Sequence, residues 1–181
     1  TRYKTGGNCA IAVFPKNEEE FMVVVSLLRG ICPLETVGAG TNLLVSDSGY
    51  SGAVIFTDYM TKTWQSGNLY VAESGVKLSA VIKDLALNSL GGLEFAVGIP
   101  ASVGGAVCMN AGCYGKSVGD YVRYVVTDKG TLSQAECEFG YRTSRFLTEK
   151  LAIIKVCFSL NPTESDYLEE KIKSYVNMRR N

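Results

Sequence analysis

The chain predicts an α+β fold of two lobes with a ligand groove between them. Three observations carry this. The early elements alternate strand, helix, strand, the order that builds a small parallel sheet. The later strands follow one another as hairpins. Between the two stretches a polar run, Thr61 to Asn68, reads as a boundary, giving a first lobe over residues 1–62 and a second over residues 63–181. A groove between lobes is a usual place for a small-molecule site.

Asn8 to Phe14 reads as a strand that stops at Pro15. Asn17 has the chemistry of an N-cap, with Glu20 completing an approximate capping box. Phe21, Val24, Val25 and Leu28 recur at helical spacing, so a helix is expected over residues 18–29, ended by Gly30 and Pro33. Leu34–Val37 and Ala53–Phe56 follow as strands, and Leu69–Ala72 opens the second lobe. Leu78, Val81, Ile82, Leu85 and Ala86 form one helical face, expected to run to Gly91-Gly92. A long loop is expected from Gly98 to Gly115. Tyr121–Thr127 alternates as a strand into the hairpin signal Asp128-Lys129-Gly130. Leu151–Leu160 is a long apolar strand. The last helix is placed at about Asp166–Arg180, burying Leu168, Ile172, Tyr175 and Val176, with Arg179 and Arg180 favourable at its C-terminal end.

Composition narrows the function. The 181 residues carry 18 Lys plus Arg against 18 Asp plus Glu, which gives no electrostatic reason for a nucleic-acid partner. No apolar run reaches the length that spans a bilayer. Histidine is absent, which excludes a Ser-His-Asp triad, a His-containing zinc site and a histidyl-linked cofactor within the chain; no metal ligand set is predicted. The six cysteines form no CxxC and read as small core residues of a reducing compartment. The start at Thr1-Arg2-Tyr3, without a Met, is read as a trimmed end.

Three segments carry candidate chemistry. In the first, Gly38, Gly40, Thr41, Asn42, Leu43 and Leu44 follow a strand. Its glycines permit close backbone approach, and successive N–H groups in such a turn form a nest for an anion such as a diphosphate. An ordinary tight turn is the plainer reading. The third glycine of a dinucleotide-binding fingerprint is missing, which disfavours a Rossmann site. The second segment contains Gly98, Ile99, Pro100, Ser102, Val103, Gly104, Gly105, Asn110 and Gly112. With five glycines over residues 98–115 it is glycine-rich yet apolar, unlike a solvated linker. A flat apolar ligand with hydrogen-bonding edges suits it, and a buried Ω-loop suits it equally. In the third, Tyr141, Arg142 and Ser144 lie in an aromatic and hydroxyl-rich setting. Arg142 is either a carboxylate or enolate partner or a surface cation in an ion pair.

Taken in order, these segments resemble one family. TRYKTGG at residues 1–7 is similar to the entry motif of UDP-N-acetylenolpyruvoylglucosamine reductases. GAGTNLLVSDSGYSGAVI at 38–55 resembles that family's diphosphate stretch, and GLEFAVGIPASVGGAVCMNAGCYG at 92–115 its flavin loop. EFGYRTSRF at 138–146 resembles its arginine motif. The resemblance implies the two-lobed FAD-binding module of the vanillyl-alcohol-oxidase and p-cresol-methylhydroxylase (PCMH) type, with noncovalent FAD. It assigns the glycine-rich residues named above to the cofactor, Arg142 to catalysis, and Tyr141 with Arg142 to the substrate. It further implies NADPH as co-substrate, a nucleotide-sugar substrate, and a monomeric enzyme of the bacterial cytoplasm with no membrane or nucleic-acid partner. Thr41 stands where the family has Ser, Ala101 where it has Gly, and Glu73 where it has a small apolar residue. Family members continue into a substrate domain bearing a proton-donating serine and a late glutamate, and the chain is expected to stop where that domain begins, retaining FAD without turning over the sugar. Another flavoenzyme of this fold, or a stand-alone flavin module, are the alternatives.

Overall fold

The computed structural model describes residues 5–180, so residues 1–4 of the entry motif lie outside the described residues. The first lobe begins with β1 (Cys9–Val13) and α1 (Glu18–Leu28) and continues through β2 (Leu34–Val37) and β3 (Tyr50–Phe56). β3 pairs in parallel with both β1 and β2, giving the order β1-β3-β2. Asn17 caps α1 by accepting the Glu20 N–H at 2.8 Å. The Glu20 carboxylate reaches back one residue further than a capping box requires, to the Lys16 N–H at 2.8 Å. Phe21 and Val25 are the buried residues of α1.

The second lobe follows the order expected, with several short elements added. It holds β4 (Thr63–Ser66), β5 (Leu69–Glu73) and α2 (Leu78–Leu87), then β6 (Leu90–Gly91) and α3 (Val103–Cys108). Short strands β7 (Gly112–Cys113) and β8 (Lys116–Ser117) form a hairpin before β9 (Val122–Thr127) and β10 (Gly130–Ser133). The chain closes with α4 (Arg145–Thr148), β11 (Ile153–Ser159), β12 (Asn161–Pro162) and α5 (Ser165–Arg180). Five strands make one antiparallel sheet, ordered β10-β9-β11-β5-β4.

Three expectations differ from the structure. The run 61–68, read as a lobe boundary, holds a strand that was not expected, Thr63–Ser66, the exposed edge of the second sheet. α2 ends at Asn88, ahead of the glycines, and Ser89 takes the left-handed turn with φ 54°. The loop from Gly98 to Gly115 contains α3, which Ser102 caps through the Gly105 N–H at 3.3 Å. All six cysteines are free thiols.

Two clusters hold the fold. The larger packs α2, α3 and the inner face of the second sheet, with Phe95 and Phe158 fully buried. α5 docks on it through Leu168, which is buried, while Ile172 and Tyr175 are partly covered; burying a leucine contributes about 1.5–3 kcal/mol. The smaller cluster joins the lobes: Phe21 and Val25 from α1, Ile55 from β3, Met60 from the crossing, and Ile154 from β11. Glu73, unexplained by sequence, belongs to this crossing. Its carboxylate is buried and accepts the Lys62 N–H at 2.7 Å.

Tyr70 gives the second lobe a measurable pH response. The ring is buried on β5, and its hydroxyl donates to Asp84 on α2 at 2.6 Å. Burial first, and the Asp84 hydrogen bond second, push its pKa from 10.0 to about 12. The folded state therefore keeps a proton that the unfolded state releases. Stability from this group is whole below pH 10.0 and is lost as pH rises through about 12. Tyr70→Phe is expected to cost about 1 kcal/mol at neutral pH and to flatten the alkaline decline, as read from urea denaturation at successive pH values.

Candidate functional site

Because β2 and β3 run parallel, the residues that follow them, Gly38 and Thr57, emerge at the same carboxyl edge of the first sheet. In parallel sheets this edge is where ligands bind. The Thr57 N–H donates to the Val37 carbonyl at 3.1 Å, so the two exits lie side by side. Facing them across the lobe junction are the loop 99–102 and α3. Between these walls runs a groove of about 1040 Å³. Gly38, Gly40, Thr41, Asn42 and Leu43 line it from the first lobe, and Ile99, Pro100, Ser102, Gly104 and Gly105 from the second.

The turn after β2 has the makings of an anion site. Among the described residues, the N–H groups of Gly38 through Asn42 have no hydrogen-bond acceptor. Gly40 has φ 60°, the left-handed geometry that lets successive amides in such a turn point into one concavity. The turn is propped from outside: the Gly7 N–H donates to the Ser46 carbonyl at 2.8 Å, and a Cβ on Gly6 would lie 2.6 Å from the Val45 carbonyl oxygen. Leu44 is 81% exposed and stands outside the groove lining.

The opposite wall works differently. Its N–H groups are already engaged, Val103 with the Val76 carbonyl at 2.8 Å and Gly104 with the Ser74 carbonyl at 2.9 Å. It offers instead a smooth surface of Ile99, Pro100, Ala101 and the glycines of α3. Gly104 has no side chain because a Cβ would lie 2.8 Å from that of Ser74. A Cβ on Gly38 would overlap the Ser102 hydroxyl, so the two walls meet there. Cys108 lines the groove, and burial pushes its thiol pKa up, so it presents a neutral SH.

Other residues singled out by sequence sit behind this surface. Val103 is fully buried in the core. Gly98 lies against the Arg179 side chain at the end of α5. Asn110 is a buried strut: its amide donates to the Gly140 carbonyl at 2.9 Å and its oxygen accepts the Gly119 N–H at 2.9 Å. Gly112 closes the β7–β8 hairpin against Lys116, where a Cβ would lie 2.6 Å from the carbonyl oxygen.

These supports converge on Arg142. The residue has φ 55° and sits in a tight turn in which the Gly140 N–H donates to the Thr143 carbonyl at 3.1 Å. Asn110 holds that turn through Gly140, and the Arg142 guanidinium donates to the Gly112 carbonyl at 2.7 Å. Arg142 lines the groove with no carboxylate partner among the described residues, while its neighbour Tyr141 is 92% exposed. A guanidinium held by a neutral carbonyl keeps its charge available for an anion. Ser144 is buried, donating to the Cys108 carbonyl at 2.5 Å, and so ties the arginine segment to α3.

Two lining residues escaped sequence reasoning. Thr57 and Ser74 are buried on the groove, and neither hydroxyl has a partner among the described residues. The far end of the groove carries both signs of charge. There Lys150 pairs with Glu35 at 3.1 Å, and Arg29 pairs with Asp128, which also accepts the Ala152 N–H at 2.9 Å. No group of residues able to hold a metal ion occurs among the described residues, and no helix among them is long and apolar enough to cross a membrane.

The architecture has relatives. A family model described as an FAD binding domain matches residues 9–135. The UDP-N-acetylenolpyruvoylglucosamine reductase of Thermotoga maritima is 37% identical over 99% of this chain, which covers 64% of that protein. That of Caldicellulosiruptor saccharolyticus is 39% identical over 99% of the chain, covering 61% of its length. Among solved structures, UDP-N-acetylenolpyruvylglucosamine reductase (MurB) from Thermus caldophilus superposes with a TM-score of 0.78 at 27% identity, covering 93% of this chain and 61% of that one. The chain thus spans a little under two thirds of the length of these relatives.

Proposed function

Because this chain belongs to the FAD-binding domain family, as the counterpart of the N-terminal part of the MurB reductases, we propose that it holds FAD for the reduction of an enolpyruvyl nucleotide sugar. Its fold is the two-lobed α+β module of the PCMH type. The observation that carries the proposal is the groove itself. One wall offers free amides at Gly38 through Asn42, and the other is a smooth surface of Ile99 to Ala101 and glycines. A dinucleotide with a flat ring at one end and a diphosphate in its middle needs both.

In this reading the turn at Gly38, Gly40, Thr41 and Asn42 takes the diphosphate. The wall at Ile99, Pro100, Ser102, Gly104 and Gly105 takes the flatter part of the cofactor. The bound flavin supplies hydride-transfer chemistry, with NADPH as the source of reducing equivalents. Arg142 acts on the substrate: its guanidinium, held by the Gly112 carbonyl, binds the carboxylate and stabilises the negative charge that develops next to it. Tyr141 borders the same site. The product of this reaction is UDP-N-acetylmuramate, a precursor of peptidoglycan, which places the work in the bacterial cytoplasm.

Titration of the purified chain with FAD tests the first half of this reading. Flavin absorbance that stays with protein through gel filtration supports it, and a chain that retains no added FAD sinks it. The second half concerns Arg142. In the gene product that carries this chain, Arg142→Ala is expected to lower kcat for enolpyruvate reduction about 100-fold while leaving flavin content unchanged. An unchanged kcat would remove Arg142 from the chemistry.

A further inference from the structure

We infer that the C-terminal half of α5 is a positioning element for Arg142: Tyr175 and Arg179 clamp the β7–β8 hairpin, and the hairpin holds the carbonyl that aims the guanidinium. The inference rests on the reading that Arg142 meets the substrate carboxylate. β7 is two residues long, and each has one task. The Gly112 carbonyl accepts the Arg142 guanidinium at 2.7 Å. The Cys113 side chain is tied on two sides: its thiol donates to the Phe95 carbonyl at 2.9 Å and accepts the Arg179 guanidinium at 3.0 Å. The Gly112 carbonyl and the Cys113 N–H share one planar peptide unit, so fixing Cys113 fixes the oxygen on which Arg142 rests. Burial pushes the Cys113 thiol pKa up against the pull of both guanidinium groups, so the thiol keeps the proton it donates to Phe95.

The hairpin needs a prop. Two residue pairs hold it, Gly112 with Ser117 and Cys113 with Lys116, and a short two-stranded ribbon is marginal alone. Its turn asks for left-handed backbone at two successive residues, Tyr114 with φ 54° and Gly115 with φ 73°. Glycine takes that shape freely, and tyrosine takes it at a cost. α5 supplies the restraint. The Tyr175 ring stacks on Tyr114 with centroids 5.1 Å apart, and the Arg179 guanidinium lies 5.7 Å from the centre of the same Tyr114 ring. Arg179 also packs on Gly98, where a Cβ would lie 2.9 Å from its Cδ, so one side chain reaches both ends of the segment 98–115. The core does not need the Arg179 contacts, because Leu168 and Ile172 already dock α5 while Arg179 is exposed. Contacts that add little to the core and end on the peptide that holds Arg142 act on its placement.

The test uses the gene product that carries this chain, with Tyr175→Ala, Tyr175→Phe, Arg179→Ala, and each Ala variant joined to Arg142→Ala. A misplacement of about 1 Å can cost about 100-fold in rate, so a loosened guanidinium is expected to lower kcat for enolpyruvate reduction about tenfold in Tyr175→Ala and in Arg179→Ala. Tyr175→Phe keeps the stacked ring and should keep kcat. Flavin content should stay constant throughout. Because the clamp works through Arg142, neither Ala change should lower kcat further once Arg142→Ala is present. Amide exchange gives a readout independent of turnover: Tyr175→Ala should speed exchange over residues 112–117 and leave residues 122–127 of β9 as they were. Unchanged kcat or unchanged exchange overturns the inference. So does a second tenfold loss on top of Arg142→Ala, which would make the helix end a general support. A starting enzyme that reduces no enolpyruvyl sugar overturns the functional reading and this inference with it, so the two failures are distinct.

Discussion

Gly75→Ala is expected to destabilise the chain by about 3 kcal/mol, near the upper end of overpacking costs, and to lower its thermal midpoint by roughly 6–12 °C. The added Cβ would overlap the Thr57 carbonyl oxygen and lie 2.8 Å from the Met60 carbonyl oxygen. Both obstacles are backbone atoms, so no rotamer change relieves them. Moving the backbone strains the lobe junction. The Gly75 N–H donates to the Met60 carbonyl at 3.1 Å, the Ser74 N–H to the Ile154 carbonyl at 2.8 Å, and the Glu73 N–H to the Lys62 carbonyl at 3.0 Å. Met60 and Ile154 are also members of the cluster that joins the lobes. Gly67→Ala is the control. Gly67 has φ 58° but nothing within 4 Å of a Cβ, so only backbone strain of about 1–2 kcal/mol applies. Urea midpoints for the two variants decide the matter: equal losses would mean that the junction yields and that Gly75 is an ordinary turn residue.

The junction also shows where sequence reasoning reaches its limit. α1 and α5 are legible because local rules and burial agree. Asn17 caps the first, and Leu168, Ile172 and Tyr175 line the inner face of the second. The parallel sheet follows from the strand–helix–strand opening. Its order does not, because β3 enters between β1 and β2 only after the long excursion through residues 38–49. β4 is invisible for a simple reason: Thr63–Ser66 is exposed throughout, so no inward–outward alternation marks it. α3 is hidden because two adjacent glycines oppose a helix locally. Tertiary packing overrides them, since Gly104 must lie against Ser74 and Ser102 supplies the cap.

The site divides in the same way. The glycine turn and the arginine segment announce themselves by composition. Thr57, Ser74 and Glu73 do not, since a single hydroxyl or carboxylate has no periodicity. Only its burial, and the presence or absence of a partner, give it meaning. Asn110 is the converse case. It lies in a glycine-rich stretch that suggests ligand contact, yet both ends of its amide are spent on Gly140 and Gly119. Its influence on a ligand passes through the turn that presents Arg142.

Gly38→Ala separates ligand binding from folding. The added Cβ would overlap the Ser102 hydroxyl and lie 3.2 Å from the Ser102 Cβ, between the two walls of the groove. Here the main obstacle is a side chain, which can turn away at the expense of its cap on α3, a loss of about 1 kcal/mol. The fold should therefore survive with only that decrease. FAD affinity should fall about 100-fold, equivalent to about 2.7 kcal/mol, because the methyl stands where the cofactor must pass and displaces the first amide of the turn. Ser102→Ala combined with Gly38→Ala isolates the cause. If the hydroxyl clash alone narrows the groove, the pair binds FAD more tightly than Gly38→Ala by itself, although it lacks the cap. If the double variant binds no better, the lost affinity comes from the turn, whose amides no longer converge on the diphosphate. Wild-type affinity in Gly38→Ala would place the diphosphate elsewhere and reduce the glycine turn to a plain connection between β2 and β3.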